Sequence, residues 1–368
     1  MITEAALRGY LLEEVLAWML RSSGYEILTA RDDQDKKPWK VLEERNHGLV
    51  VRGRGAWHQA DTLGQFRYVP PFSLPVRLFV EAKFTQTRVR LSTVRNGHGV
   101  VHDVNENVMT TVAVADGPRR PATRYRYSYA IFSTSGFSKE AQEFALAHQI
   151  SLVDLSMPDF ANLRTIVADT AQAVHAAMNA MPAAERPKVY QMRNFLRRLL
   201  LDMSDGPAAT QPSVTAPLTA LASSLHSRST LGLVLAFPAA PFVLGLASDN
   251  LNAFVDYARG HPTHAVRLRR LQDPLAPHPV WRVSPQAKPD AYTLTFGLPK
   301  QVEAWIIDQD AGTPARTRWV KQSMLSAMTV YWMDDSHAHT FQLRYQPAAL
   351  RSDLPHDEFD ALRSDLLS

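Results

Sequence analysis

The sequence predicts an α/β protein, in which a mixed sheet flanked by helices is followed by a helical connector and a second, strand-rich α+β domain. Three observations lead to this prediction. Residues 4–22 repeat apolar side chains with the period of a helix. Val76 to Phe84 alternate with the two-residue period of a strand. The strand–helix–strand order from Tyr127 to Leu155 indicates a parallel pair with a right-handed crossover.

Composition limits the class of protein. A chain of 368 residues is too long for one ordinary domain and predicts two, each with its own core. A content of 45% hydrophobic and 21% charged residues excludes a disordered chain. The net charge of +4 permits an anionic partner without requiring one. The absence of cysteine excludes disulfides and cysteine-bound zinc, and we expect a cytoplasmic protein without a signal peptide.

The most apolar run of the chain does not predict a membrane span. Residues 231–247 contain Pro238 and Pro241, and the run is shorter than the roughly 20 residues that cross a bilayer. We therefore expect two buried strands joined by a turn, and no membrane partner.

The strand from Val76 to Phe84 carries charges where a buried strand should be apolar. Its alternation puts Glu81 and Lys83 on one face, and burying such a pair is costly without a role. Asp61 lies 20 residues upstream, and an adjacent returning strand would bring it beside Glu81. Two carboxylates can hold a hard divalent cation, and a neighbouring lysine can orient a water or neutralise charge on a phosphate.

The pattern Asp61…Glu81-Ala82-Lys83 resembles the PD-(D/E)xK nuclease superfamily, and the surrounding sequence looks most like its Mrr-like restriction-endonuclease branch. Leu12-Glu13-Glu14-Val15 looks like the first helix of that branch, which carries an acid. The segment 129–138 looks like its later strand and Ser/Thr-Gly-Phe turn, and 150–154 looks like the strand that follows. The resemblance covers about residues 5–156, with Ala60 in place of the usual proline.

The resemblance implies a restriction-endonuclease-like mixed sheet and a Mg²⁺-dependent endonuclease, with Mn²⁺ able to substitute, that hydrolyses phosphodiester bonds in DNA and acts in defence against foreign DNA. As a hypothesis, Asp61, Glu81 and the backbone carbonyl of Ala82 hold the metal. Glu13 would lie in the outer shell or at a second metal. Lys83 would position or deprotonate the attacking water, with its pKa lowered by the metal and by partial burial.

Two further assignments near the proposed metal ligands stay open. Helical periodicity cannot choose between Glu13 and Glu14, and the register of the resemblance favours Glu13. Gln59, together with His58, is placed to orient Asp61.

Four residues are candidates for contacts with the substrate. Arg52 and Arg54 stand beside glycines and can meet a phosphate, although an ordinary basic hairpin turn explains them equally well. The resemblance points to Arg95 and Asn96 for phosphate contact, on a helix over residues 87–109 with a break near Gly97-His98-Gly99. On that helix His98 and His102 lack a third metal ligand, so a solvated face is the better interpretation.

The predicted organisation is a nuclease-like domain over residues 1–157, a helical connector with a Ser/Pro/Ala-rich linker over 158–230, and a domain over 231–368 that selects substrate or partner. We expect a loop at 115–121 and a linker at 204–230. In the last domain we expect a helix at 249–259 capped by Asp249 or Ser248, and a helical tail from Arg351. Its strands are expected at 231–237, 241–247, 264–271, 279–284, 291–297, 327–333 and 339–345.

No catalytic set stands out in the last domain, which has a basic character from Arg267, Arg269, Arg316, Arg318 and Lys321. Asp334, Asp335, His337 and His339 are interpreted as one polar turn. Two alternatives to a DNA nuclease stay open. One is a non-catalytic nucleic-acid-binding or assembly subunit that keeps a nuclease-like fold, and the other is an RNA-directed nuclease. A homo-oligomer or partner subunits of a defence system are compatible with either function.

Overall fold

The computed structural model describes residues 2–33, 39–45, 48–69, 72–109, 111–114, 117–203, 206–227, 232–240, 242–271, 279–307, 313–333 and 337–347. Within these residues the chain forms a mixed α/β structure that contains a five-stranded sheet and a closed barrel of seven strands. The general α/β class predicted from the sequence is therefore confirmed.

The five-stranded sheet has the order β1-β5-β6-β9-β10. Strand β5 runs antiparallel to both of its neighbours, β1 and β6, whereas β6, β9 and β10 run parallel to one another. The bounds of these strands are β1 Tyr25–Ile27, β5 Thr62–Phe66, β6 Val76–Lys83, β9 Arg126–Ser133 and β10 Ser151–Asp154.

Helices cover both faces of this sheet because its central strand is apolar on both sides. Val80 packs into the core that includes helix α1 (Glu4–Ser22). Its neighbour Phe79 packs into the opposite core, which includes helix α2 (Leu91–Asn105). Two buried faces are the expected state of a strand in the middle of a parallel sheet.

Helix α2 joins β6 to β9 and is continuous, so the break expected near Gly97 is wrong. Gly97 packs against an aromatic ring, and a Cβ at this position would lie 2.8 Å from Cε1 of Tyr129. The glycine therefore allows the helix to approach the sheet closely. Helix α3 (Lys139–Ala147) follows β9 and is capped by Ser138 Oγ, which accepts a hydrogen bond from the backbone N–H of Ala141.

Two small sheets lie outside the five-stranded sheet. One has the order β2-β3-β4, with β2 at Leu42–Arg45, β3 at Gly48–Arg52 and β4 at Trp57–Gln59. The other is a hairpin of β7 (Thr111–Val114) and β8 (Gly117–Pro121). The prediction of a loop up to residue 121 is therefore wrong for β8.

The described part of the connector contains the helices α4 at Ala161–Ala180, α5 at Val189–Leu201 and α6 at Pro212–His226, joined by short segments outside these helices. The linker predicted at 204–230 is wrong for α6. Pro212 stands in the first turn, where its missing N–H costs nothing. The buried residues of α6 recur every three or four positions and join the core that also contains α1; they are Val214, Leu218, Leu221, Ala222 and Leu225. Burial of this stripe outweighs a composition typical of a linker.

The barrel has the strand order β11-β12-β15-β14-β13-β17-β16. All seven predicted strands are present, at β11 Leu233–Pro238, β12 Leu244–Ala247, β13 Thr263–Leu271, β14 Val280–Pro285, β15 Leu294–Phe296, β16 Ala327–Met333 and β17 Ala338–Tyr345. Closure was not predicted, and it arises because the first strand pairs with β16.

Three helices accompany the barrel, namely α7 (Leu251–Gly260), α8 (Lys300–Ile307) and α9 (Thr313–Ser323). The cap of α7 is Asn250 and not either of the two predicted residues. The polar turn at 334–336 and the tail from Arg351 lie outside the described residues. The apolar run at 231–247 supplies β11 and β12, which pair antiparallel as predicted. Among the described residues, no helix is both long enough and apolar enough to cross a membrane.

A buried ionic network ties α1 to α5. Glu14 is 1% exposed, and its two oxygens accept hydrogen bonds from Nε of Arg193 at 2.6 Å and Nε of Arg197 at 2.8 Å. Burial raises the pKa of Glu14, but the two guanidinium groups lower it further, so the net shift is downward. This acid therefore stays ionised and has a structural role.

We predict that Glu14→Gln destabilises the protein by about 3 kcal/mol or more, because it leaves Arg197 without its counter-charge and Arg193 with Glu13 alone. Urea unfolding followed by circular dichroism measures this loss. The matched control is Glu4→Gln on the same helix, whose half-exposed pair with Arg8 should contribute less than about 1 kcal/mol. Equal losses in the two variants would contradict the assignment.

Candidate active site

The pairing of β5 with β6 brings Asp61 to the end of the charged strand. Thr62 lies opposite Val80 in this antiparallel pair, and Asp61 is the residue just before β5. Its Oδ2 accepts a hydrogen bond from the backbone N–H of Ala82 at 2.9 Å. The returning strand expected from the sequence is therefore present, and it places Asp61 beside the Glu81-Ala82-Lys83 segment.

The backbone of Ala82 offers a second oxygen at this edge. In a strand, the N–H and C=O groups of one residue point to the same side, as the paired bonds of antiparallel ladders require. Since the N–H of Ala82 points to Asp61, its carbonyl also faces that edge of the sheet.

Glu81 and Lys83 share one face of β6, and their side chains are paired. Nζ of Lys83 lies 2.6 Å from Oε1 of Glu81. The other oxygen of Glu81 accepts a hydrogen bond from the hydroxyl of Tyr129 at 2.9 Å, across the parallel pair of β6 and β9. Tyr129 was not predicted as a site residue, because nothing in its local sequence separates it from the other aromatic residues of β9.

The pKa of Lys83 differs from the sequence-based expectation. Burial lowers it, as expected, but the hydrogen bond and charge of Glu81, together with the charges of Asp61 and Glu13, outweigh burial and raise it. With these neighbours the side chain is an ammonium, which suits positioning and charge neutralisation better than proton abstraction.

Glu13 reaches the same region from α1. It borders the cleft that Asp61 also lines, and its Oε2 lies 2.7 Å from Nη2 of Arg193. Burial raises its pKa to about 8; Arg193 opposes this shift, while Asp61 and Glu14 add to it. Glu14 is enclosed by the two arginines of the structural network, whereas Glu13 borders the cleft, and this position favours Glu13 as the candidate acid.

The surroundings of Asp61 also disfavour the ionised form of its carboxyl group. Burial raises its pKa, the N–H of Ala82 and the charge of Lys83 lower it, and Glu81 raises it again, with a net upward shift. The charge of Asp61 in turn contributes to the raised pKa values of Glu13 and Tyr129.

A cleft of about 730 Å³ opens beside these acids. It lies between α1, α5 and the β2–β3 hairpin, and its cationic lining residues are Arg31, Arg45, Arg193 and Arg197. Arg193 and Arg197 belong to a segment whose sequence, with Leu196 and Leu199 to Leu201, is that of a basic amphipathic helix. Their position at the cleft depends on contacts with α1 that are 179 or more residues away along the chain.

The Arg52-Gly53-Arg54-Gly55 segment is a closed hairpin turn. The Asp103 carboxylate accepts hydrogen bonds from the N–H groups of Gly55 at 2.8 Å and Ala56 at 3.2 Å, and the N–H of Arg54 donates to the Asp103 carbonyl. These N–H groups are therefore occupied, which favours the ordinary-turn interpretation. Nη1 of Arg54 is 3.8 Å from Glu106, in an exposed ion pair. The roles of Arg52 and Arg54 toward a substrate stay predictions.

His58 and Gln59, which precede Asp61 in the chain, lie in different surroundings. Nε2 of His58 lies 2.7 Å from Oδ2 of Asp103, so His58 pairs with Asp103 and not with Asp61. Gln59 is exposed and borders the cleft. Its orienting role stays a prediction.

Arg95 and Asn96 are exposed on α2. The guanidinium of Arg95 lies 5.8 Å from the ring of Phe144 on α3, so it packs beside that helix. His98 lies with its ring centroid 4.4 Å from that of His148 and 6.2 Å from that of His102. Burial and the two neighbouring histidines lower the pKa of His98.

Within the ranges that the structure describes, no group of three His, Asp or Glu side chains is arranged to hold a metal ion. The donors at the sheet edge nevertheless fit Mg²⁺, because this ion is usually held by one or two carboxylates and keeps several waters. Asp61, Glu81 and the Ala82 carbonyl supply hard oxygen donors. Burial is the main cause that raises the pKa values of Asp61 and Glu13, and a bound cation would stabilise their ionised forms.

Comparisons with protein-family models and with curated proteins give no match. Among solved structures, the chain is similar to a crystal structure titled as a protein of unknown function, AF1548. The identity is 13%, the TM-score is 0.28, and the match covers 53% of this chain and 99% of the other. A likeness of this size carries no argument about fold or function.

We predict that Glu13 makes stability fall as pH rises. Its pKa is about 8 in the folded protein against an ordinary value of 4.5, so the folded state binds the extra proton between these values. The stabilisation is present below pH 4.5 and is lost as pH rises through 8. Glu13→Gln should therefore gain at least about 1 kcal/mol over the parent chain between pH 5 and pH 8.5, since one pKa unit is about 1.4 kcal/mol.

Urea unfolding of both proteins at several pH values measures this difference. Asp169→Asn, an exposed change on α4, is the control that should leave the profile unchanged. A Glu13→Gln profile parallel to that of the parent chain would contradict the burial of this acid.

Proposed function

We propose that the chain is a metal-dependent nuclease that hydrolyses phosphodiester bonds in DNA. The observation that supports it most strongly is the hydrogen bond from Ala82 N–H to Asp61, because it gathers Asp61, Glu81 and Lys83 at one sheet edge. The order of elements also supports the proposal. A helix with an acid, a strand ending in Glu81-Ala82-Lys83, a helix and a parallel strand follow one another as the PD-(D/E)xK resemblance implies.

In this proposal, Asp61, Glu81 and the Ala82 carbonyl hold Mg²⁺, or Mn²⁺ in its place. The ion would supply charge against the scissile phosphate and a water of lowered pKa. Glu13 lies across the cleft edge and would take part through the outer shell, after losing the proton that its raised pKa retains near neutral pH.

Lys83 provides a fixed positive charge. Glu81 holds its ammonium at 2.6 Å, and Tyr129 in turn holds Glu81, so the direction of the lysine is set by two contacts. A preorganised cation of this kind stabilises charge that develops on a phosphoryl oxygen. The Tyr129 hydroxyl stays protonated because burial and the charge of Glu81 raise its pKa.

The cleft beside the acids suits a polyanionic substrate. Arg31 and Arg45 lie on the side of the cleft formed by the hairpin and the chain before it and are the candidates for phosphate contact, whereas Arg193 and Arg197 on α5 are paired with Glu13 and Glu14. Phosphate contacts of this kind give affinity without reading sequence. The proposed function therefore predicts binding that weakens as salt is raised.

We predict that the full chain cuts plasmid DNA with Mg²⁺ or Mn²⁺, and that Lys83→Ala and Asp61→Ala each lower the rate at least about a hundredfold, the scale on which one positioned charge acts at a reacting group. Gel assays with plasmid, single-stranded DNA and RNA measure this and identify the preferred substrate.

Lys139→Ala is the matched control, because Lys139 is an exposed lysine 3.8 Å from Glu143 on α3. Circular dichroism establishes that the variants are folded. Metal-dependent cutting by Lys83→Ala at the parental rate would contradict the mechanism. An inactive parent chain that still binds DNA would favour the non-catalytic subunit instead.

A further inference from the structure

A second basic pocket lies at one end of the barrel, distant in sequence from the proposed nuclease residues. Helix α9 borders it on one side, and the ends of β13 and β17 contribute Arg270 and Tyr345. Its volume is about 370 Å³. This size lies at the small end of the range of ligand sites, which runs from about 300 to 1,000 Å³.

Among the residues that the structure describes, three cations and no acid line the pocket. They are Arg270 from β13 and Arg318 and Lys321 from α9, with the hydroxyl residues Thr313 and Thr317 between them. Among the described residues, no carboxylate forms an ion pair with Arg318 or Lys321. Within the described part of the chain, the charges of Arg318 and Lys321 are therefore not balanced by an acid, whereas Arg270 is paired with Glu303.

Arg270 is fixed in place and retains an unused donor. Its side chain is 10% exposed, and its Nε donates to Oε2 of Glu303 at 3.0 Å. Nη2 is also 3.0 Å from that oxygen, but at an angle that leaves it without a hydrogen bond. A buried guanidinium N–H without an acceptor is costly, and it is explained when a ligand supplies the acceptor.

Positive charge also surrounds Lys321. Burial and the charge of Arg269 lower its pKa. Arg269 itself is exposed on the face of β13 opposite to that of Arg270, and it lies directly across from Arg282 of β14. Like charges therefore face each other on this part of the barrel, which adds to the positive potential around Lys321.

We propose that this pocket binds a phosphate monoester, with Arg270, Arg318 and Lys321 as its ligands. A phosphate dianion matches several cations at once, and its oxygens can accept from guanidinium and ammonium groups together. The volume leaves room for part of the group that carries the phosphate. The ester can come from a free nucleotide or from the 5′ end of a nucleic acid, and both present the same chemistry.

The other side of α9 provides a matched control. Arg316 donates to the backbone carbonyl of Trp305 and lies 5.2 Å from the centroid of its ring. At 3.6 residues per turn, Arg316 projects from the face of α9 opposite to that of Lys321. Arg316→Gln removes the same charge from the same helix without touching the pocket.

Isothermal titration of the full chain in EDTA tests the proposal with inorganic phosphate, a nucleoside 5′-monophosphate and the nucleoside alone. Two further arms, a 5′-phosphorylated and a 5′-hydroxyl oligonucleotide, identify the source of the phosphate. We expect the phosphate-bearing ligands to bind, and Arg318→Gln and Lys321→Met each to weaken binding about tenfold, as loss of a charged hydrogen bond does.

Arg316→Gln should leave the affinity unchanged. Lys321→Met keeps the apolar stem of the half-buried lysine, and Arg318 is exposed, so both variants are expected to fold. Absence of binding by inorganic phosphate and the nucleotide would overturn the proposal. So would equal binding of the nucleoside, or an equal loss of affinity in Arg316→Gln.

Discussion

The hydrogen bond between the Asp61 carboxylate and the N–H of Ala82 is the contact on which the candidate site depends. It exists because β5 pairs antiparallel with β6 in a register that places Thr62 opposite Val80. A shift of one residue would turn Asp61 away and exchange the side chains that β6 presents to its two cores. Packing of β6 between its two cores therefore sets the register, and the register sets the position of Asp61.

The arginines of α5 neutralise the two acids of α1 unequally. Arg193 is shared between Glu13 and Glu14, and Arg197 binds Glu14, so Glu14 receives two guanidinium groups while Glu13 receives part of one. This inequality separates the pKa values of two adjacent residues on α1, lowering that of Glu14 and raising that of Glu13. Two neighbouring acids thus have different roles, one structural and one available at the cleft, because of how α5 packs on α1.

Local patterns in the sequence predict much of the fold, and long-range contacts explain what they miss. The alternation in β6, the helix α1 and the seven strands of the barrel follow from periodicity. The closure of the barrel depends on β11 pairing with β16, which no local pattern encodes. Helix α6 was missed because its small and proline residues hide a buried stripe. Tyr129 and Arg193 reach the site across 48 and 179 residues of chain, and the balance that raises the pKa of Lys83 depends on three acids from different segments.

The most direct test of the central claim is anomalous scattering from crystals of the full chain soaked in Mn²⁺. We expect a peak at the end of β6, from a Mn²⁺ ion bound by the Asp61 carboxylate, Glu81 and the carbonyl oxygen of Ala82. A Mn²⁺ ion bound only elsewhere on the chain, with Asp61 still hydrogen-bonded to Ala82 and no peak at that edge, would contradict the nuclease assignment.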